Sequence, residues 1–347
     1  MIATLNETWR RRKSAAFDLA GNSTAGRTIS FDLFGRPVSV YANANLSIYS
    51  AQTCNAACPF CVEELRPASR GTALSTQKNI ESDDDRYFAK LEQTFAVLKP
   101  LNPTTSITGG EASKDPRLPR IIRTIDQFDM RKRTLTTNGS GLLDRREGRR
   151  VIDWLCENHF DHLNISIAHR DYTENGKLMR LRESLTRDQL ALVVELAAQA
   201  GIRVRFSCVL LRSSVATLDD VCDYLDFAAS LGVDNVIFRQ LMKSDPATHA
   251  ANSVVRFSEM ERVAFEPLLD QISEDPRFTL TRQIMGYYYY VEVWRYEAMD
   301  VVFEEADLAQ LERVKRRDPG TIHELIFHPS ATLNSTWQPW DGVLGPM

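Results

Sequence analysis

From about Asn45 onward, short apolar runs alternate with longer stretches whose apolar residues recur at helical spacing. Leu46 to Tyr49, Thr105 to Thr108, Thr134 to Thr136, Leu163 to Ile167, Ile202 to Leu210 and Asn235 to Phe238 read as strands. Between the first two, Phe88, Leu91, Phe95 and Leu98 fall three or four apart, the stripe of an amphipathic helix. Asp83 to Asp85 stand at its start, where negative charge suits the helix dipole. Leu118 to Phe128, Arg146 to Cys156, Thr186 to Ala200 and Thr217 to Ser230 supply the remaining helices. Thr217 with Asp220 is close to a capping box, and Gly201 and Gly232 stand where helix C-terminal caps are expected.

Six strands separated by helices predict βα units in a parallel sheet with right-handed crossovers. The fold class is therefore α/β, a partial (β/α)6 TIM-like barrel over residues 45–242. Its chemistry is expected at the carboxyl ends of the strands. Ahead of it, residues 1–44 read as an arm followed by a β-hairpin at Arg27 to Tyr41, turning at Phe34-Gly35-Arg36-Pro37. Beyond it, residues 243–347 read as an α+β extension covering the sheet edge or the barrel mouth. That extension has a helix from Val255 to Ile272 and strand candidates at Tyr287 to Tyr296 and Thr321 to Phe327. The four successive tyrosines from Tyr287 to Tyr290 read as packing on a half-buried strand. Trp337 and Trp340, flanking Pro339, read as a docking segment.

Composition narrows the function classes. Of 347 residues, 43% are hydrophobic and 25% charged, the profile of a globular protein. A net charge of −4 offers no general attraction for nucleic acid or an anionic membrane. The basic segment Trp9 to Lys13 is not a signal peptide, and no stretch approaches the roughly 18 apolar residues of a membrane span. A cytoplasmic location is expected, where thiols stay reduced. Six cysteines then raise the question of metal.

Three of them are close together in Cys54-Asn55-Ala56-Ala57-Cys58-Pro59-Phe60-Cys61, in the loop after the first strand. Three thiolates on one loop can hold three irons of a [4Fe-4S] cube and leave the fourth open to an outside ligand. A zinc site completed by a distant histidine is the bland alternative. Zinc motifs usually come with a second Cys or His pair, which this chain lacks.

The Cys-x3-Cys-x2-Cys spacing, with an aromatic residue before the last cysteine, resembles the signature of the radical S-adenosylmethionine (SAM) superfamily. The resemblance extends over roughly residues 45 to 242. Thr108-Gly109-Gly110-Glu111, after the second strand, resembles the family's GGE motif, which receives the methionine amino group. Thr136-Thr137-Asn138-Gly139, after the third, resembles the segment near the SAM ribose. Ser166 matches a position whose hydroxyl often contacts SAM, and Arg205 one where a polar group lies near the SAM carboxylate. The resemblance implies one [4Fe-4S] cluster held by Cys54, Cys58 and Cys61, with Phe60 near the adenine. It also implies an external one-electron reductant of flavodoxin or ferredoxin type, and reductive cleavage of SAM to a 5′-deoxyadenosyl radical that abstracts hydrogen from a substrate.

No cysteine follows Cys222, so an all-cysteine auxiliary (SPASM-type) cluster in the tail is not expected, and Cys156, Cys208 and Cys222 read as buried free thiols. His169 and Arg170 after the fourth strand, Arg212 after the fifth and Arg239 on the sixth are the candidate substrate contacts. Converging arginines suit a carboxylate or phosphate. A small anionic molecule is therefore expected, and the resemblance implies one of the nucleoside, nucleotide or sugar kind met in natural-product tailoring. A peptide-modifying enzyme is the alternative, its peptide held on the edge of the amino-terminal hairpin. An RNA substrate is disfavoured by the acidic balance.

Overall fold

The computed structural model describes residue 13 and residues 27–50, 54–65, 80–243 and 252–345. Apart from Lys13, the expected basic arm lies outside the described residues. All six expected core strands form: β3 (Asn45–Tyr49), β4 (Thr104–Thr108), β5 (Arg133–Thr137), β8 (His162–Ser166), β9 (Arg203–Leu210) and β10 (Asn235–Gln240). They lie side by side in that order, each parallel to the next.

Alternation along these strands separates two faces. Leu46, Ile48, Ile107, Leu135, Leu163, Ile165, Phe206 and Phe238 are buried in the main apolar core with residues of the helices. Ser47, Ser106, Thr136, Asn164 and Arg205, on the opposite face, are only half-buried. Parallel sheets usually bury apolar side chains on both faces. A polar inner face therefore lines a space meant for a ligand rather than a core.

The helices begin where their caps require. The Asp83 carboxylate accepts the backbone N–H groups of Asp85 and Arg86 at 3.0 and 3.2 Å and starts the helix Asp84–Leu98. Thr186 with Gln189 and Thr217 with Asp220 form capping boxes for Arg187–Gln199 and Leu218–Ala229. Each such cap is worth about 1 kcal/mol.

Three expectations need correction. The helix read from Arg146 starts only at Val151, because Arg145–Arg146 (β6) and Arg149–Arg150 (β7) make a small hairpin turning at Glu147 and Gly148, both with positive φ. The Asp153 carboxylate then accepts the Arg150 N–H at 3.0 Å and starts the helix there. The helix read over Val255 to Ile272 is two, Ser253–Glu261 and Phe265–Glu274. Arg262 is extended between them, its guanidinium on the carbonyls of Leu241 and Met242 at 3.0 and 2.8 Å. Pro267 falls in the first turn of the second helix, where its missing N–H costs nothing. Finally, the strand read over Thr321 to Phe327 is broken into β14 (Thr321–Ile322) and β15 (Leu325–Phe327).

The carboxyl-terminal third lengthens the sheet at both edges. β13 (Met299–Ala306) pairs in parallel with β10, and β12 (Tyr289–Tyr296) and β11 (Phe278–Met285) follow outward, antiparallel. At the other edge β15 runs parallel to β3, followed by β16 (Leu333–Asn334) and β17 (Val343–Gly345). β14 instead joins the amino-terminal hairpin of β1 (Thr28–Leu33) and β2 (Arg36–Tyr41). The twelve-stranded sheet ends in β11 and β17, so strand pairing leaves the barrel open. Aromatic contacts span the seam: the Tyr287 ring meets Tyr41 and His323, both at 4.8 Å. Among the described residues no helix is long and apolar enough to cross a membrane.

Candidate active site

The cysteine loop leaves the carboxyl end of β3 and is fastened to a segment distant in sequence. Ala57 N–H donates to the Met179 carbonyl at 3.2 Å, and Arg182 N–H to the Asn55 carbonyl at 3.0 Å. Met179 ends the helix Tyr172–Met179, which the sequence reading missed. Its signal was present: Asp171 followed three residues later by Glu174, with Asp171 accepting the Thr173 and Glu174 N–H groups. Cys61 N–H closes a turn onto the Cys58 carbonyl at 3.1 Å and leads into the helix Val62–Leu65.

Burial, then the nearby Cys61 and Cys54, pushes the Cys58 thiol up to about 12. The three sulfurs are thus near enough for their charges to couple. Among the described residues they are not gathered into a closed metal-ligand group. The fit to an iron–sulfur cluster rests on donor chemistry. Three soft thiols on one loop, coupled in charge, are the donor set that an iron–sulfur cluster takes.

Glu111 organises the neighbouring strand ends. It is 1% exposed, and its carboxylate accepts Ser113 N–H at 3.0 Å and Asn138 N–H at 2.6 Å, with the Ser113 and Thr137 hydroxyls bonded to it as well. Asn138 in turn donates its side-chain amide to Asn55 Oδ1 at 2.8 Å. A continuous polar line therefore runs from the end of β4, through the end of β5, to the residue beside Cys54. Gly109 has φ +90, and the Tyr49 ring stands where its Cβ would be. The Tyr49 hydroxyl is bonded to Glu63, on the helix that follows Cys61. Ser113, Asn55 and Tyr49 were not singled out in the sequence, because nothing local marks a partner so far along the chain.

Ser166 is half-buried at the end of β8, opposite Ser207 on β9. Arg205 lies on the polar inner face beside Asn164 and is bonded to Asn235. Burial, with Arg239 and Arg203 nearby, pulls its guanidinium down to about 10. The Phe60 ring packs near Phe257 at 6.2 Å.

The candidate substrate contacts do not converge as a set. His169 Nδ1 accepts Asp171 N–H at 2.9 Å, and Arg170 pairs at 2.6 Å with Asp223 on the helix Leu218–Ala229. Arg212 donates to the Arg262 carbonyl at 3.1 Å. Arg239 is different. It pairs with Glu304 at 3.0 Å while its Nε is buried without a hydrogen-bond partner among the described residues, and it lines a cavity of 360 Å3 at the seam of the barrel. His169 and Arg170 do not line that cavity. A larger groove of 900 Å3 lies against it, between the helix Leu308–Arg317 and the segment from Ser335 to Gly342.

Comparison with known proteins places this arrangement. The family model described as the radical SAM superfamily matches residues 48–227. Molybdenum cofactor biosynthesis protein 1 of Drosophila melanogaster is 24% identical over 204 residues, covering 58% of this chain and 32% of that protein. GTP 3′,8-cyclase 1 of Mycobacterium tuberculosis is 24% identical over 204 residues, covering 57% and 51%. The chain thus spans about a third of one of these curated relatives and about half of the other. Among solved structures, Streptococcus suis SuiB bound to the precursor peptide SuiA aligns with a TM-score of 0.48 at 16% identity, over 71% of this chain and 46% of that one. Coproporphyrinogen III oxidase from Escherichia coli aligns with a TM-score of 0.43 at 14% identity, over 74% and 68%.

Proposed function

The chain belongs to the radical SAM superfamily, and we propose that it abstracts hydrogen from a small, carboxylate- or phosphate-bearing substrate of the nucleoside, nucleotide or sugar kind. When bound, a [4Fe-4S] cluster and SAM supply one-electron cleavage of the S–C5′ bond and hence a carbon radical, the electron coming from an external flavodoxin- or ferredoxin-type donor.

The protein's part is to hold and orient. Cys54, Cys58 and Cys61 would hold the cluster. Gly109 and Gly110, both with positive φ, leave their backbone open to the SAM amino group. Glu111 supplies negative charge beside it, while its bonds to Ser113, Thr137 and Asn138 keep the turn from moving. Thr137 and Asn138 would hold the SAM ribose, Ser166 would offer it a hydroxyl, Arg205 would answer its carboxylate, and Phe60 would lie near its adenine. His169, Arg170 and Arg239 remain the candidate substrate contacts.

The observation that carries this reading is the line Glu111–Asn138–Asn55, which ties both strand-end motifs to the cysteine loop. An M. tuberculosis relative named for GTP supports a nucleotide among the substrate classes. The test is anaerobic reconstitution with iron and sulfide, reduction, and assay of 5′-deoxyadenosine from SAM, with Cys58→Ala alongside. Formation by wild type alone is expected; a colourless, iron-free protein that leaves SAM intact would sink the reading.

One feature favours a second reading, modification of a peptide. β1 is the outer strand of its three-stranded sheet among the described residues, with Thr28, Ile29, Ser30 and Asp32 exposed. Such an edge can accept an added strand. Protection of the Thr28–Leu33 amides from hydrogen exchange by a peptide that also raises 5′-deoxyadenosine formation would select this reading.

A further inference from the structure

The two cavities meet at the seam that strand pairing leaves open. Tyr288, His323, Glu324 and Trp337 line both, so the outer groove leads into the inner chamber. In the chamber, Asn43, Asn45 and Ser47 form the wall on the β3 side, and Tyr287, Tyr288 and Tyr289 another wall. Arg239 and Glu304, register partners on β10 and β13, contribute the ionic part. The tyrosine rings are held by one another: Tyr287 lies 4.8 Å from Tyr288, and Tyr288 stands perpendicular to Tyr289 at 5.5 Å. Tyr289 also folds over Gly286, where no side chain would fit.

The charges of this chamber are matched within the protein. Arg239 is paired with Glu304 at 3.0 Å, and Glu324 with Lys315 at 2.6 Å and the Trp337 indole N–H at 2.9 Å. Burial holds His323 below the ordinary imidazole range, so it is neutral at pH 7. A phosphate or ammonium group entering here would have to break one of these pairs. What is available instead is uncharged hydrogen bonding. The Asn43 and Asn45 amides and the Ser47 hydroxyl line the space and make no side-chain hydrogen bond among the described residues. At 360 Å3 the chamber is at the small end of ligand pockets, about 300–1,000 Å3.

We propose that this chamber takes the neutral, planar heterocycle of the substrate, a ring of the nucleobase class. Tyrosine rings offer it stacking faces, and the Asn43 and Asn45 amides read its edge. The outer groove beneath Trp337 is its way in. This rests on the nucleoside or nucleotide reading above and adds to it a location and a mode of recognition.

The test measures binding of adenosine, guanosine, cytidine and uridine to the iron-loaded protein with SAM and without reductant, by calorimetry. Ribose serves as the control ligand. Tyr288→Ala and Asn45→Ala are compared with wild type, with iron content and melting temperature reporting the fold. At least one nucleoside is expected to bind where ribose does not. Its affinity should fall about 10-fold in Tyr288→Ala, for the lost stacking face. Asn45→Ala, at an exposed position that leaves the core intact, should weaken it roughly 5-fold, the worth of one hydrogen bond. A nucleoside bound equally by all three proteins overturns the chamber and leaves the substrate class standing. No nucleoside bound by wild type overturns the chamber; a separate assay with reductant, in which neither nucleosides nor nucleotides change 5′-deoxyadenosine formation from SAM, overturns the substrate class as well.

Discussion

The Tyr49 ring occupies the place of the side chain that Gly109 lacks: a Cβ on Gly109 would lie 2.5 Å from the ring. Tyr49 is also stacked on His328, stands at 6.3 Å across the Trp337 ring, and is bonded through its hydroxyl to Glu63. One residue thus joins the GGE turn, the cysteine loop and the wall of the seam cavity.

Gly109→Ala is therefore expected to damage the site out of proportion to its size. The methyl group must displace the Tyr49 ring and sit at φ +90. Strain and overpacking together cost about 2–4 kcal/mol. Iron retained after reconstitution and the melting temperature should both fall. A variant with wild-type values of both would show that the ring yields freely.

Glu111→Gln tests the strand-end network from its centre. The carboxylate accepts from Ser113, Thr137 and Asn138, and an amide nitrogen in its place would face a donor. SAM-derived 5′-deoxyadenosine should drop about 10–100-fold, the usual loss when a group that orients a metal-site partner is changed. Iron content should stay near wild type. Equal loss of iron would mean that Glu111 serves mainly to fold the loop.

Asn55 and Asn138 form a pair suited to a double-mutant cycle. Their amide hydrogen bond at 2.8 Å links the cysteine loop to the end of β5. Alanine at both positions should show a coupling of about 0.5–1.5 kcal/mol in unfolding free energy, and additive effects would mean that the bond contributes nothing.

Asp126 supplies a pH test remote from the cysteines. Arg133 is buried at the start of β5, bonded to the carbonyls of Met130 and Asn158 and paired with Asp126 and Asp129. Burial alone would raise the Asp126 carboxyl, but His159 and Arg133 outweigh it and hold the group below the ordinary carboxylate range. A lowered folded-state value stabilises the fold above the unfolded value of about 3.9, and that contribution fades as pH falls toward the folded value. Asp126→Asn should thus cost about 1–3 kcal/mol at pH 7. Melting curves should show the gap to wild type closing below about pH 4; a gap that persists in acid would assign the loss to packing.

Much of the architecture was legible along the chain. The six core strands, the caps at Thr186 and Thr217, the hairpin before β3 and the cysteine loop after it all follow from residues within a few positions of one another. Local signals also misled: the apolar spacing from Val255 to Ile272 runs across a break that Arg262 makes by bonding to Leu241 and Met242, some twenty residues earlier.

What the sequence by itself determined is the set of chemistry-bearing residues and the order in which strand ends present them, because propensity, capping and side-chain period act over one or two turns. Only the tertiary structure decided which of those residues meet. Arg170 pairs with Asp223, Arg239 with Glu304, Asn138 with Asn55, and Tyr49 lies against Gly109. The placement of β13 and β15 on opposite edges, with tyrosines spanning the seam between them, belongs to the same level. The physical reason is the same for each. Such contacts are between segments tens to hundreds of residues apart, chosen by the burial and hydrogen bonding of the whole fold, and no short stretch of chain carries that information.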